Sequence, residues 1–414
     1  METNIERVKK DIEAICRFNS TPGMGYTRFS YSPEDAEARE YLLGEFAEAG
    51  LEANVDAVGN IRARLEGVDP EAPVVMSGSH IDTVLHGGMF DGLVGTVGAL
   101  EAVRSIVESG VRTKHPIEVV VFVEEEGSNF GSTTAGSKAM VGIYGLEDIR
   151  RLKNDEGVSM YDMAKGFGLD PDDITGHVLG PGEVKAMIEL HIEQSVVLDA
   201  EGIPIGIVEA IAGIKSYEIE LTGVANHAGA TPMHMRQDPL AAAAKVIAAV
   251  GGIAGKTGSP STVGTVGRIV CEPNVPNVIP GRVLFTLDAR DVNPEGIDML
   301  VRRTEETMKE AARVHGVGAS MRLIGESKTI IVPTEMIDLI EESARERGIP
   351  YRLMHSGAVH DSCLLAEITD IGMIFAPSID GRSHVPEEST GFEDVKTGCD
   401  LLLDTILKLA SPLS

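Results

Sequence analysis

Val74-Val75-Met76-Ser77-Gly78-Ser79-His80-Ile81-Asp82-Thr83 is the stretch that decides the fold. It begins as an apolar run and ends on a histidine and an aspartate. Val74-Val75-Met76 reads as a buried strand. Phe90-Asp91-Gly92 then opens a segment in which Leu93, Val97, Leu100, Val103 and Val107 recur at spacings of three and four, the pattern of an amphipathic helix. Val119 to Val123 reads as a second buried strand and Ala186 to Ile192 as a third. Strands alternating with a helix in this order imply an α/β layer with a largely parallel sheet.

Polar groups gather where these strands end. In an open α/β sheet ligands bind outside the carboxyl ends of the strands, and His80 sits at such an end. Asp82 is placed to accept a proton from the far nitrogen of His80, the arrangement that orients a metal-bound imidazole. Glu124-Glu125-Glu126-Gly127 follows the second strand. Three adjacent carboxylates repel one another unless a cation neutralises them. Glu189-Leu190-His191-Ile192-Glu193-Gln194 ends the third strand, and Ser383-His384-Val385-Pro386-Glu387-Glu388 follows a short strand at Met373 to Ala376. Imidazole and carboxylate donors without cysteine suit an open, catalytic site for zinc or a similar divalent ion.

Outward from this region the pattern changes near Gly213. Tyr217, Ile219 and Leu221 alternate with polar residues, as in a half-exposed strand. Asp238-Pro239 and Asn293-Pro294 each offer a capping side chain followed by proline at the first helical position. Ser261 to Ile269, Val283 to Ala289 and Gly318 to Leu323 read as further strands. The result is strand-helix-strand twice over, a small α+β domain inserted into the first.

The 414 residues suffice for one large or two ordinary domains, and 43% are hydrophobic, without tryptophan. The formal net charge of -28 argues against nucleic acid and against anionic membranes as partners. Met1 to Arg17 is charged and helix-like, unlike a signal peptide, and no apolar run approaches the roughly 18 residues of a membrane span. Cys16, Cys271, Cys363 and Cys399 lie far apart, which points to a reducing, cytoplasmic setting.

The motifs GSHIDTV, FDG, EEEG, HIEQ, NHAGATPM, PNVPNVIPG, LDAR and SHVPEE follow one another along nearly the whole chain. Together they resemble the amidase/hydantoinase/carbamoylase branch of the metallopeptidase clan that includes aminoacylases and bacterial carboxypeptidases. The resemblance implies a zinc-peptidase-like catalytic domain with a mostly parallel central sheet, formed by residues 1–212 and 329–414. It also implies an inserted lid and dimerisation domain over 213–328, with a four-stranded antiparallel sheet and two helices. The lid would close over substrate on hinges near Gly213 and residues 325–332. Two divalent ions per subunit are expected: zinc, with manganese, cobalt or nickel as alternatives. His80, His191, Glu126 and His384 match the terminal ligands, and Asp91 the bridging carboxylate. His80 would share one ion with His191, and Glu126 the other with His384. Glu125 matches the general base, and Asp82 the support of His80.

The resemblance further implies a carboxylate-bearing ureido substrate and a homodimer built through the insert, paired at an exposed strand edge, for which Lys215 to Leu221 is the candidate. Arg290 matches the carboxylate clamp, and its planar fork suits that task. Asn277, Gln194, Lys215 and His360 match polar substrate contacts. His227 matches a residue that reaches the site from the partner subunit. The expected reaction is hydrolysis of the carbamoyl C–N bond of N-carbamoyl-L-amino acids, with allantoate and β-ureidopropionate as alternative substrates. A non-catalytic binding protein on the same fold would be favoured by missing ligands, and none is missing. Val359, Ser195 and Val385 depart from the branch pattern of Gly, Gly and Asn.

Overall fold

The computed structural model describes residues 1–411. In chain order the strands are β1 (Glu52–Val55), β2 (Ile61–Leu65), β3 (Val74–His80), β4 (Ile117–Phe122), β5 (Val184–Ile192), β6 (Ile205–Ile211), β7 (Gly213–Thr222) and β8 (Asn226–His227). They continue with β9 (Val263–Thr265), β10 (Ile269–Glu272), β11 (Val278–Ile279), β12 (Arg282–Asp291), β13 (Gly318–Ser327), β14 (Ile330–Ile331), β15 (Tyr351–Ser356) and β16 (Asp370–Ala376). The chain divides into two compact units. Met1–Glu209, Val332–Met354 and, among the described residues, 360–411 form the first. Ala210–Ile331 and His355–Val359 form the second.

The sheet of the first unit runs β1-β2-β4-β3-β5-β16-β6, with β15 also on β6. Its four central strands are parallel: β3 pairs with β4 and β5, and β5 with β16. Antiparallel strands flank them on both sides. All seven residues of β3 and all six of β4 are buried, as expected of parallel strands covered on both faces. Gly78 in β3 adopts φ +152°, and any Cβ there would run into the Val120 carbonyl of β4, so only glycine lets the two strands pair at this point.

The helix expected after His80 spans Leu93–Ser109. It packs on β3 and β5 together with the helix Phe392–Ala410. Leu93, Val97, Leu100 and Val103 face the core. The apolar stripe ends at buried Ile106, whereas Val107 is exposed, because one further residue turns the side chain about 100° around the axis.

In the second unit β12 alternates strictly between buried and half-buried residues, the pattern of a sheet with one packed face. The helices Pro239–Ala254 and Pro294–His315 cover that face, with Ile219, Leu221, Val246, Val250, Phe285, Leu287 and Leu300 between them. Asp238 accepts the amide N–H groups of Leu240 and Ala241, and Asn293 that of Glu295. Both caps are as the sequence indicates.

Two expectations need correction here. The strand read over Ser261 to Ile269 is broken into β9 and β10, so five strands occupy four positions in the order β10-β12-β7-β13, with β9 also on β12. Asp288 faces Thr265 while Phe285 faces Ile269. Three steps on β12 thus meet four on its neighbour, and the extra residue is a bulge that interrupts the ladder. The strand containing Lys215 to Leu221 is not an edge. β7 lies between β12 and β13 and pairs with both, so β13 is the edge on that side of the described sheet.

Candidate metal centre

Five candidate ligands, with the candidate base Glu125, gather at the carboxyl ends of the parallel strands. His80 is the last residue of β3, and His191 lies at the end of β5. Glu125 and Glu126 follow β4, Asp91 precedes the helix Leu93–Ser109, and His384 follows β16. Helix and imidazole are packed tightly: Gly92 has φ +65°, and a Cβ there would collide with the His80 ring.

The two oxygens of Asp91 face different partners. Oδ1 lies 3.4 Å from His80 Nε2 and 3.3 Å from His191 Nε2. Oδ2 lies 3.3 Å from His384 Nε2, which is itself 3.4 Å from Glu126 Oε1. Two donor sets, His80-Asp91-His191 and Asp91-Glu126-His384, therefore share one carboxylate.

The ring tautomers are set by the backbone. His80 Nδ1 donates to the Asp82 carbonyl at 2.9 Å, and His191 Nδ1 to the Ile192 carbonyl at 3.0 Å. Nε2 of each ring is therefore the nitrogen turned toward Asp91, the one a metal would take. The Gly92 N–H meets the His191 Nε2 lone pair at 3.2 Å.

Asp82 supports the site differently from the sequence expectation. Its carboxylate is 4.0 Å from His80 Nδ1, and the backbone carbonyl takes the imidazole proton instead. The carboxylate accepts the N–H groups of Glu125 at 3.2 Å and Glu126 at 3.1 Å. One aspartate thus orients His80 and fixes the turn that carries both glutamates.

Electrostatics test whether the donors suit a cation. Burial pushes the Glu126 carboxyl up to about 7, with Asp91 adding to the effect. Burial also lifts Glu125 well above the carboxylate range; His80 opposes this and Glu126 reinforces it. Burial disfavours a charged His80, but Glu125, Asp91 and Asp82 outweigh it and hold its pKa well above the ordinary value. Asp91 is held well below its own range despite burial, chiefly by His191. Unless a cation lies between them, the glutamates are driven toward their protonated forms and the imidazoles toward their charged forms, and imidazole and carboxylate donors at shared spacing fit divalent metal.

Gln194, at φ +52°, donates Nε2–H to Asp91 Oδ2 at 2.7 Å, while its buried Oε1 has no hydrogen-bond partner. His360 stacks edge-on against His191 with ring centroids 4.6 Å apart, and burial together with His191 holds its pKa well below the ordinary value. Both residues border the candidate donors in the first unit.

Four other sequence-derived candidates lie in the second unit. Arg290 on β12 donates Nε–H to Asp288 at 2.7 Å and Nη1–H to the Gly357 carbonyl at 3.0 Å. Its fork already holds one carboxylate. Lys215 on β7 is paired with Asp298 at 2.6 Å. Asn277 accepts the Ala228 N–H through its backbone carbonyl at 3.0 Å, next to the β8–β11 ribbon that carries His227. The exposed His227 accepts the N–H groups of Gly229 and Ala230 at Nδ1, 3.0 and 3.2 Å away. Its proton therefore lies on Nε2, which is a donor.

Sequence reasoning passed over Ser383, Glu388 and Glu189. Ser383 Oγ lies 2.8 Å from Asp91 Oδ2. Glu388 accepts the N–H groups of Phe90 and Asp91. Glu189 accepts from Ser79 Oγ at 2.8 Å beneath the site. All three stand inside motifs already singled out, but nothing in their spacing tells which side chain turns inward. The first of the three consecutive glutamates does not face the donors: Glu124 Oε1 accepts the N–H groups of Asn129 and Phe130 instead. The departure Ser195 donates to Glu193 at 2.8 Å.

Strand-end imidazoles and glutamates around a shared carboxylate, on a sheet with parallel central strands, have the build of the metallopeptidase class. Residues 76–408 match peptidase family M20/M25/M40, and the chain belongs to it. It is 41% identical over 399 residues to the N-carbamoyl-L-amino-acid amidohydrolase of Paenarthrobacter aurescens, covering 96% of each chain. The allantoate amidohydrolase of Escherichia coli is 34% identical over 407 residues, covering 98% of each chain. In structure, an amidase of the hydantoinase/carbamoylase family from Burkholderia multivorans superposes with a TM-score of 0.90 at 33% identity, over 99% of this chain and 98% of that one.

Proposed function

We propose that this protein is a metal-dependent amidohydrolase that cleaves the carbamoyl C–N bond of N-carbamoyl-L-amino acids. The observation that carries the reading is the division of the Asp91 oxygens between two donor sets. The substrate class rests on the relative at 41% identity. His80, His191, Glu126 and His384 would hold two divalent ions, with Asp91 between them and zinc as the first choice of metal. Bound there, such ions supply Lewis-acid polarisation of the ureido carbonyl and acidify water.

The remaining work falls to the protein. Glu125, whose Oε2 lies 3.8 Å from His80 Nε2, takes a proton from the attacking water and returns it to the leaving amino acid nitrogen. The carbamic acid released decays to carbon dioxide and ammonia. Asp82 holds the Glu125 amide and so fixes the base. Arg290 is assigned the substrate carboxylate, with Asn277, Lys215, Gln194 and His360 as further polar contacts. His227 is assigned the developing oxyanion from the partner subunit of a homodimer built through the second unit. A donor is needed for that task, and its Nε2–H is one. A cytoplasmic location accords with the four free cysteines.

The test is ammonia release by the metal-loaded protein from carbamoyl amino acids, allantoate and β-ureidopropionate. The highest kcat/KM is expected for an N-carbamoyl-L-amino acid. Preference for allantoate would move the assignment to the activity named for the Escherichia coli relative. Absence of ammonia from every substrate would overturn the amidohydrolase reading.

A further inference from the structure

Glu388 is a buried carboxylate that touches none of the imidazoles, yet it ties together two segments nearly 300 positions apart. Oε1 accepts the Phe90 N–H at 2.9 Å and the Asp91 N–H at 3.0 Å. Oε2 accepts the Ser383 hydroxyl at 3.0 Å and the His384 N–H at 3.4 Å. Ser383 Oγ is also 2.8 Å from Asp91 Oδ2. The Ser383 hydroxyl has a single hydrogen for two carboxylate acceptors, and a cation on Asp91 Oδ2 would leave that hydrogen to Glu388.

The space around Glu388 is equally specific. A Cβ on Gly88 would overlap the Glu388 side chain. His384 is held at φ +60°, a left-handed conformation that a non-glycine residue keeps only when its surroundings impose it. The His384 N–H to Glu388 contact belongs to those surroundings.

We propose that Glu388 is a positioning residue that sets the placement of Asp91 relative to His384. It thereby governs affinity chiefly at the cation position made by Asp91, Glu126 and His384, where it holds two of the three donors, and affects the His80–His191 position, where it holds only Asp91, far less. The inference rests on the two-cation reading above. The asymmetry follows from the contacts: Glu388 meets the backbone of Asp91 and of His384, whereas His80 and His191 are oriented by the carbonyls of Asp82 and Ile192.

The experiment titrates metal-free protein with cobalt(II), following visible absorption and bound metal by elemental analysis, with circular dichroism to confirm folding. Wild type should take up two equivalents. Glu388→Ala should weaken one of the two by roughly 10–100-fold, the usual cost of losing a group that orients a ligand, with the other within about threefold. Glu388→Gln keeps a carbonyl for the two amides and should fall between. Gly88→Ala leaves the carboxylate in the chain but displaces it, and should reproduce the selective loss. Equal weakening of both positions, or of neither, in the folded variants would overturn the role of Glu388. Fewer than two equivalents on wild type would overturn the two-cation reading, and the inference with it.

Discussion

At the scale of single residues, the proposed proton carrier and the proposed ligands are separable by substitution. Glu125→Gln keeps the shape of the side chain and the amide held by Asp82, but it cannot accept a proton. Turnover should fall by roughly 10²–10⁴-fold, the usual worth of general acid–base catalysis, with bound metal retained. Unchanged turnover in a metal-replete variant would remove Glu125 from the role. The gathering of imidazoles and carboxylates at strand ends was legible in the sequence because a buried parallel strand leaves few destinations for a histidine at its end. The contacts that aim those side chains were not. Whether His80 meets the carboxylate or the carbonyl of Asp82 depends on the path of residues 81–83, and the inward turn of Glu388 depends on Gly88, far away in the chain.

Elements were legible where one periodicity ran unbroken, and less so where a ladder is interrupted. The extra residue between β9 and β10 leaves no mark in an apolar pattern, and the central place of β7 depends on a partner about 100 positions later. Asp291, at the end of β12, offers a test at this scale. Its carboxylate accepts the hydroxyls of Ser259, Ser261 and Thr262 and the N–H of Asn293. Burial raises its pKa, but these hydrogen bonds, Thr262 foremost, bring it below the ordinary value. A depressed carboxyl pKa adds stability above the unfolded value of about 3.9, and that stability is lost as pH falls through the folded one. Asp291→Asn should therefore lower the thermal midpoint at pH 7, and the gap from wild type should narrow toward pH 3. A gap independent of pH would mean that the charge contributes nothing.

For the whole molecule, the expectations concern metal and assembly. Dialysis against a chelator should abolish ammonia release, and zinc, manganese or cobalt should restore it. Full activity in protein shown to be free of metal would end the proposed mechanism. Assembly is tested by mixing two inactive chains, His227→Ala and Glu125→Gln. If His227 serves the neighbouring subunit, each mixed dimer regains one intact site. Mixed dimers without recovered activity would return His227 to its own chain or to a structural role.

The position of β16 bears on how the protein is made. This strand lies between β5 and β6, although some 160 positions separate it in the chain from the nearer of the two. A ribosome that has released everything up to Ser327 has produced His80, Asp91, Glu126 and His191, but the sheet still lacks an interior strand and His384. Chains usually fold from the amino-terminal side as they emerge. Here the first unit cannot close until β16 has emerged, and His384 arrives only after that strand. A nascent chain stalled before Asp370 would expose the flanks of β5 and β6, and chaperone capture should concentrate there until β16 emerges.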